Sequence, residues 1–570
     1  MQRDQLKPRV PLLWGAGAWP PAARFTDVNR VRATVALPVL LAALALVLRL
    51  YGLSEKPLWY DEIVTLNRAN LPLAELVIDA LKNKHYPTYF LLVGPFASAD
   101  IDGWMLRFPS AVFGAVCVLL VSRLAAEMRG PRTGLGAGLL MALSPFEVQF
   151  GQEARSYTLT SCLVLVAIWG LVRIANRPEA AALPMSRPEA LRGAWVTYTL
   201  GTIGALLVLN IAIPWLLVSN LAMLAIVHHA ACEKRGLLHN WALAQVVILL
   251  LWVPALIAMW LANRGAVLSG LEWVPKVTWE NIWSIVAAVY LFRISDLMTF
   301  VLLPTPLPGF GAGVVMFALF GAWRLKTDPA MLAVIGLAFL AMPIAILVMS
   351  AFQPMLVPRY LMWSTGPFFV LAGIGAAALP ARFFPLIAVA VAVGGTVSLA
   401  PYYSSETKPR WDRAAAYLAD NARPQDIIIA QNQAAKFVLA SYAERFRLDS
   451  KIPIVAWNPH DTARRAEEGE RAWAVYGRFG QETQEPEEGF RQKWSAFGIL
   501  GEQVRFGSHI LILRFDNSTM GTQRTSDQRS NWSRTTALSP IKFLQPKSLV
   551  SNFRFWHLSD MPSWPGDVRS

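Results

Sequence analysis

The sequence predicts an α-helical polytopic membrane protein with about 11 transmembrane helices and a small extracytoplasmic α/β domain at its C-terminal end. Three observations predict this. Of 570 residues, 55% are hydrophobic and only 16% charged, against about 45–50% and about 25% in an ordinary soluble domain. The apolar residues are concentrated in runs between Ala33 and Pro401, whereas Tyr402 to Ser570 has the composition of a water-soluble segment. Lysine and arginine gather on alternate connections between the runs. The runs lack β-barrel alternation, and a backbone exposed to lipid must satisfy its own hydrogen bonds, so the spans are helices.

Residues 1–32 are basic and proline-rich and read as a cytoplasmic tail. The run after them has no small-residue cleavage site, so it is expected to stay as the first span rather than act as a signal peptide. A span needs about 20 mostly apolar residues. The candidates are Ala33–Leu50, Leu106–Ala125, Thr133–Val148, Tyr157–Ile174, Ala194–Leu209, Ile211–Val227, Trp241–Leu261, Gly309–Trp323, Ala330–Ala351, Tyr360–Leu379 and Phe383–Ala400, within a membrane domain of residues 33–401. Trp279–Leu303 is amphipathic and runs into Pro304 and Pro306, which suits an interfacial or partly inserted segment. Arg123, Arg129 and Arg132 share one connection; Arg173, Arg177, Arg187 and Arg192 share another; Lys234 with Arg235, and Arg324 with Lys326, continue the same side. By the positive-inside rule these loops and the N-terminus are cytoplasmic, which puts the C-terminal domain outside, with the plasma (inner) membrane as the expected location. The net charge of +14 is accounted for by these loops, and no nucleic-acid partner is expected.

Residues 402–516 alternate strand and helix patterns, as a small layered sheet does. Helices are expected over Trp411–Ala422 and Ala434–Ala443, and strands over Asp426–Ala430, Ile452–Trp457, Arg471–Tyr476 and Val504–Phe515. Residues 517–570 are polar and irregular and read as a disordered tail. Asn517 and Asn531 match a glycosylation sequon. Cys117, Cys162 and Cys232 lie in or beside apolar runs, so the C-terminal domain has no disulfide framework.

The loops opposite the basic ones collect ionisable residues at the outer membrane edge. An Asp at the bilayer centre costs roughly 2.5–3.5 kcal/mol on insertion scales, so an edge position is the cheaper one. Leu58-Trp59-Tyr60-Asp61-Glu62 follows the first span. One reading is an aromatic belt and a solvated helix N-terminus; the other makes one carboxylate a general base in a partly desolvated pocket. Adjacent side chains point in different directions, so Asp61 and Glu62 have different roles. His85, in His85-Tyr86-Pro87-Thr88-Tyr89-Phe90, is either a structural hydrogen-bonder or a ligand contact. Glu153 and Arg155 are two apart and do not face each other on a helix, which leaves both for other partners. Arg359, before Tyr360 at the start of an outer-edge span, is either a snorkelling anchor or a phosphate clamp suited to its guanidinium fork.

In order, Trp59-Tyr60-Asp61-Glu62, His85-Tyr86-Pro87-Thr88-Tyr89-Phe90, Leu106-Arg107-Phe108-Pro109-Ser110, Ser144-Pro145 through Gln152-Glu153-Ala154-Arg155-Ser156-Tyr157, Pro358-Arg359-Tyr360 and Trp411-Asp412-Arg413-Ala414-Ala415 resemble the GT-C superfamily of membrane glycosyltransferases. The resemblance covers roughly residues 33–430 and is strongest to the bacterial branch related to protein O-mannosyltransferases, the aminoarabinose lipid A transferase and rhizobial lipopolysaccharide galacturonosyltransferases. Each motif is weak alone; their order and shared side of the membrane are specific. The resemblance implies a polyprenyl-phosphate-linked sugar donor, a lipid, glycan or protein acceptor, and contact with membrane lipids. It implies Asp61 as base and Glu62 as an acceptor or positioning contact, with His85, Glu153, Arg155, Arg359 and Tyr360 binding substrate. Many relatives carry His-Pro-Pro, and here Tyr86 replaces the first proline, which bears on His85. No organic cofactor is implied, and a divalent metal is left open. No P-loop or GxGxxG lies between a strand and a helix, so no nucleotide-binding loop is expected. A lipid or glycan transporter is the alternative; it would favour ionisable residues near the midplane and related halves.

Overall fold

The computed structural model describes residues 28–97, 103–187, 189–232, 234–263, 274–457, 471–478, 487–495 and 499–516. The N-terminal tail up to residue 27, both sequons and residues 517–570 lie outside them.

Helix α1 (Val28–Leu50) is followed by a group of short helices, α2 (Tyr60–Ala69), α3 (Leu73–Lys82) and α4 (Thr88–Val93). Then come α5 (Trp104–Arg129), α6 (Pro131–Ala142), α7 (Pro145–Gly151), α8 (Tyr157–Asn176), α9 (Pro178–Ala182), α10 (Arg192–Val208), α11 (Pro214–His229) and α12 (Lys234–Ala262). After α13 (Trp279–Tyr290) follow α14 (Pro308–Leu325), α15 (Pro329–Ser350), α16 (Met362–Ala377) and α17 (Phe384–Ser404). Helices cover the expected spans, Thr133–Val148 being divided between α6 and α7, and among the described residues 8 are long and apolar enough to cross a membrane. The protein is a multi-pass membrane protein.

Inside this bundle the helices approach through small residues, the usual solution where lipid removes the hydrophobic drive for association. A Cβ on Gly321 of α14 would overlap the Leu371 carbonyl oxygen of α16, and one on Gly375 of α16 would overlap the Phe317 carbonyl oxygen of α14. The two backbones are in contact there.

The expected span Thr133–Val148 is two helices, not one. Leu143 ends the first; Pro145 opens the second at its first turn, where its missing N–H costs nothing, and Ser144 caps it by accepting from the Glu147 N–H. The break turns Gln152-Glu153-Ala154-Arg155 back toward Tyr51 and the start of α2. Trp279–Leu303 is helical only to Tyr290; beyond it Phe292 and Phe300 take positive φ values and a Ser295–Leu302 bridge shapes an irregular loop.

The C-terminal segment forms α18 (Trp411–Asn421), β1 (Ile427–Ala430), α19 (Gln433–Arg445), β2 (Ile454–Ala456), β3 (Arg471–Gly477), α20 (Glu487–Ser495), β4 (Ile499–Phe506) and β5 (Ile510–Asp516). The sheet order is β2-β1-β3-β5-β4, parallel between β2, β1 and β3 and antiparallel thereafter. The single strand expected over Val504–Phe515 is instead a hairpin, because Gly507 turns the chain at φ 61° and Phe506 pairs with Ile510. Ile428, Trp473 and Ile512 face α18 and α19, while Ile429, Ala474 and Leu513 face Phe490 and Trp494. Both faces are covered, which explains why β1 reads as a continuous isoleucine run.

Helix α19 also packs on the segment before α2. Tyr442 donates a hydrogen bond to the Leu58 carbonyl at 2.9 Å, and Phe437 meets Tyr60 edge-on. These contacts hold the start of α2.

Candidate active site

Helix α2 begins at Tyr60, with Trp59 extended before it and no side-chain cap. The dipole at its N-terminus favours carboxylates in the first turn, where Asp61 and Glu62 stand. Successive helical residues are rotated by about 100°, so the two part company.

Glu62 turns inward and is fully buried. Arg107 of α5 clasps it from two nitrogens, Nε to Oε1 and Nη2 to Oε2, each at 2.7 Å. The Ala154 N–H donates to Oε1 at 3.0 Å and Lys408 Nζ to Oε2 at 2.9 Å. Arg107 continues outward, donating to the carbonyls of Leu53, Lys56 and Pro57. Burial alone would raise the Glu62 carboxyl, but Arg107, Lys408 and the Ala154 N–H outweigh it and bring it to about 2. It is an ionised strut whose oxygens are both occupied.

Asp61 turns the other way and keeps 19% of its side-chain surface exposed. Arg155 Nε lies 3.8 Å and Arg359 Nη2 3.9 Å from its Oδ2. Arg155 Nη1 also donates to the Asp61 carbonyl at 3.4 Å, which fixes that guanidinium against α2. Arg359, in the short turn Pro358–Leu361 before α16, lies over the Trp59 ring at 5.6 Å and over Tyr360 at 5.9 Å. The result is one accessible carboxylate between two arginines in an aromatic frame. Such a group accepts a proton on one side while its cations stabilise an anion on the other.

Glu153 is fully buried at the end of the α7 turn. Neither oxygen has a hydrogen-bond partner among the described residues, and its nearest cation is Lys408 Nζ at 3.8 Å from Oε1. Burial raises its carboxyl to about 7, with Lys408 and Arg359 opposing and Glu62 and Asp61 reinforcing the rise. His85 is half-buried beside Phe90. Burial, with Arg155 and Arg68, pushes its imidazole well below the usual range, so it is neutral. Tyr86 accepts from Trp252 Nε1 of α12 at 3.1 Å and ties the segment between α3 and α4 to that span. Tyr360 packs beside Val274, Phe300 and Val357.

The sequence-selected residues Asp61, Arg155 and Arg359 therefore converge, and Glu153 sits behind them. His85 lines the arginine side of the cluster, and Glu62 supports it from beneath. Among the described residues no three His, Cys, Asp or Glu side chains converge as a metal site requires. Asp61 is surrounded by cations rather than further ligands. Arg107 and Lys408 had no role in the sequence reading. Arg107 stands inside a quoted motif, but Lys408 lies 346 positions from Glu62 and carries no local signal.

No protein-family model and no curated protein sequence matches the chain. Solved structures do. ArnT from Cupriavidus metallidurans in the apo state is 15% identical, with a TM-score of 0.54 over 85% of this chain and 99% of that one. The same protein bound to undecaprenyl phosphate is 14% identical, with a TM-score of 0.50 over 85% and 99%. The archaeal oligosaccharyltransferase AglB from Archaeoglobus fulgidus, in complex with an inhibitory peptide and a dolichol-phosphate, is 12% identical, with a TM-score of 0.50 over 79% and 70%. The architecture of this chain is the GT-C fold of membrane glycosyltransferases.

Proposed function

We propose that the protein is a membrane glycosyltransferase that moves a sugar from a polyprenyl-phosphate carrier to an acceptor hydroxyl on the extracytoplasmic face. The observation that carries this reading is Asp61, 19% exposed between Arg155 and Arg359 at the start of α2, on the GT-C fold. Asp61 takes the acceptor's proton as its oxygen attacks the anomeric carbon. The bond from that carbon to the phosphate oxygen breaks, and the departing lipid phosphate gains negative charge. Arg359 and Arg155 stabilise that charge, and the fork of a guanidinium suits phosphate geometry. Glu62 touches no substrate in this scheme; it holds the turn that presents Asp61. His85, Glu153 and Tyr360 lie around this cluster. The lipid-phosphate ligands of ArnT and AglB support the carrier class, since both belong to proteins of this architecture.

The test is turnover by purified protein in nanodiscs. Polyprenyl-phosphate-linked sugars are expected to be consumed and nucleotide sugars ignored. Turnover of a nucleotide sugar without lipid carrier contradicts the reading.

A further inference from the structure

Lys408 follows the last span by only a few residues and is buried to 1% exposure. Its ammonium reaches two carboxylates from two different outer loops: Glu62 Oε2 at 2.9 Å and Glu153 Oε1 at 3.8 Å. The first contact is a hydrogen bond; the second is not. Glu62 has Arg107 as a second counter-ion. Glu153 has no hydrogen-bond donor among the described residues and no closer cation. A buried carboxylate in that position is expensive to ionise unless a cation stays beside it.

We propose that Lys408 is a positioning residue of the outer site: its shared ammonium joins the first outer loop, the second outer loop and the segment after the last span, and decides the charge that Glu153 presents behind Asp61 and Arg359. The inference rests on reading that site as catalytic. The charged and titratable groups facing Glu153 are Lys408, Glu62, Asp61, Arg359, Tyr89 and Tyr402. Among them Lys408 acts most strongly to favour the ionised form, ahead of Arg359, while Glu62 and Asp61 oppose it. With burial included, Glu153 titrates at about 7, where a modest change in its surroundings changes its charge. Its ionisation alters by one charge the field in which Arg359 serves both Asp61 and a departing phosphate.

The experiment is a pH titration of the full-length protein in nanodiscs by infrared difference spectroscopy, following the protonated-carboxyl band. Glu153→Gln identifies the Glu153 contribution by its loss. In wild type that contribution is expected to titrate near pH 7. In Lys408→Gln its midpoint is expected to rise by about 1–3 units, the effect of an opposite charge at this range. Lys408→Arg keeps the charge, and its midpoint is expected to stay near the wild-type value. An unmoved midpoint in Lys408→Gln, or a band unaffected by Glu153→Gln, overturns the proposal. If Lys408→Gln does not accumulate as folded protein, Lys408→Arg carries the test, and a rise of a full unit there overturns it. The spectroscopic readout requires no turnover, so a chain that fails to transfer sugar while showing these shifts contradicts the function, and only the electrostatic coupling of Lys408 to Glu153 then stands.

Discussion

Asp61 and Glu62 are neighbours with opposite surroundings, and their titration separates them. The Glu62 carboxyl falls from its ordinary 4.5 to about 2 in the folded protein, so its contribution to stability is full above about pH 4.5 and is lost as pH falls toward 2. Glu153 has the opposite sign: raised from 4.5 to about 7, it favours the folded state fully below 4.5, and that contribution is lost as pH rises through 7. Glu62→Gln leaves Arg107 and Lys408 buried with one counter-charge fewer. It is expected to cost about 3–5 kcal/mol, the range for breaking a buried pair, and to remove part of the acid limb of stability between pH 4.5 and 2. Thermal unfolding in detergent across that pH range checks this; an unchanged midpoint with an unchanged acid limb removes Glu62 from the strut role. At this scale Asp61, Arg155 and Arg359 were legible because each stands at the outer edge of an apolar run. Lys408 was not, since a lone lysine is recognised only by the carboxylates that the fold brings to it from the far end of the chain.

The elements were legible to the extent that composition alone dictates them. A run of about 20 apolar residues admits one solution in lipid, and helices cover the expected spans, one of them in two pieces. The ends were harder. Ser144-Pro145 splits a span because an N-cap and an N1 proline favour a new start, a signal masked by the hydrophobicity around it. The β4–β5 hairpin was compressed to one strand because the turn at Gly507 is short and both arms are apolar in part. The glycines of α14 and α16 carry a test at this scale. Gly375→Val places side-chain atoms against the Phe317 carbonyl and forces the two backbones apart. Overpacking typically costs about 1–3 kcal/mol, and contact with backbone puts this variant at the upper end. The thermal midpoint in detergent is expected to fall, while Gly313→Val, which meets nothing within 4 Å, is expected to change it little. Equal effects from the two substitutions contradict the close crossing.

For the whole molecule, the membrane domain and the C-terminal sheet are joined at the site itself. Tyr442 holds Leu58, Lys408 holds Glu62, and His509 at the hairpin meets Asp296 of the loop after α13 at 2.7 Å. The alternation of basic loops then predicts that these contacts lie outside the cell membrane, with the Arg123–Arg132 connection inside. Single cysteines introduced at positions 55 and 436 are expected to react with an impermeant thiol reagent in intact cells, and one at position 130 only after permeabilisation. Labelling that separates positions 55 and 436 contradicts the topology. The central claim rests on Asp61 as the base. Asp61→Asn keeps the size of the side chain but cannot take the acceptor's proton, and general-base catalysis typically supplies about 10²–10⁴-fold. Single-turnover transfer from a polyprenyl-phosphate-linked sugar, in nanodiscs and matched for folded protein, is expected to slow by about that factor in Asp61→Asn. Transfer at a rate close to wild type contradicts the assignment.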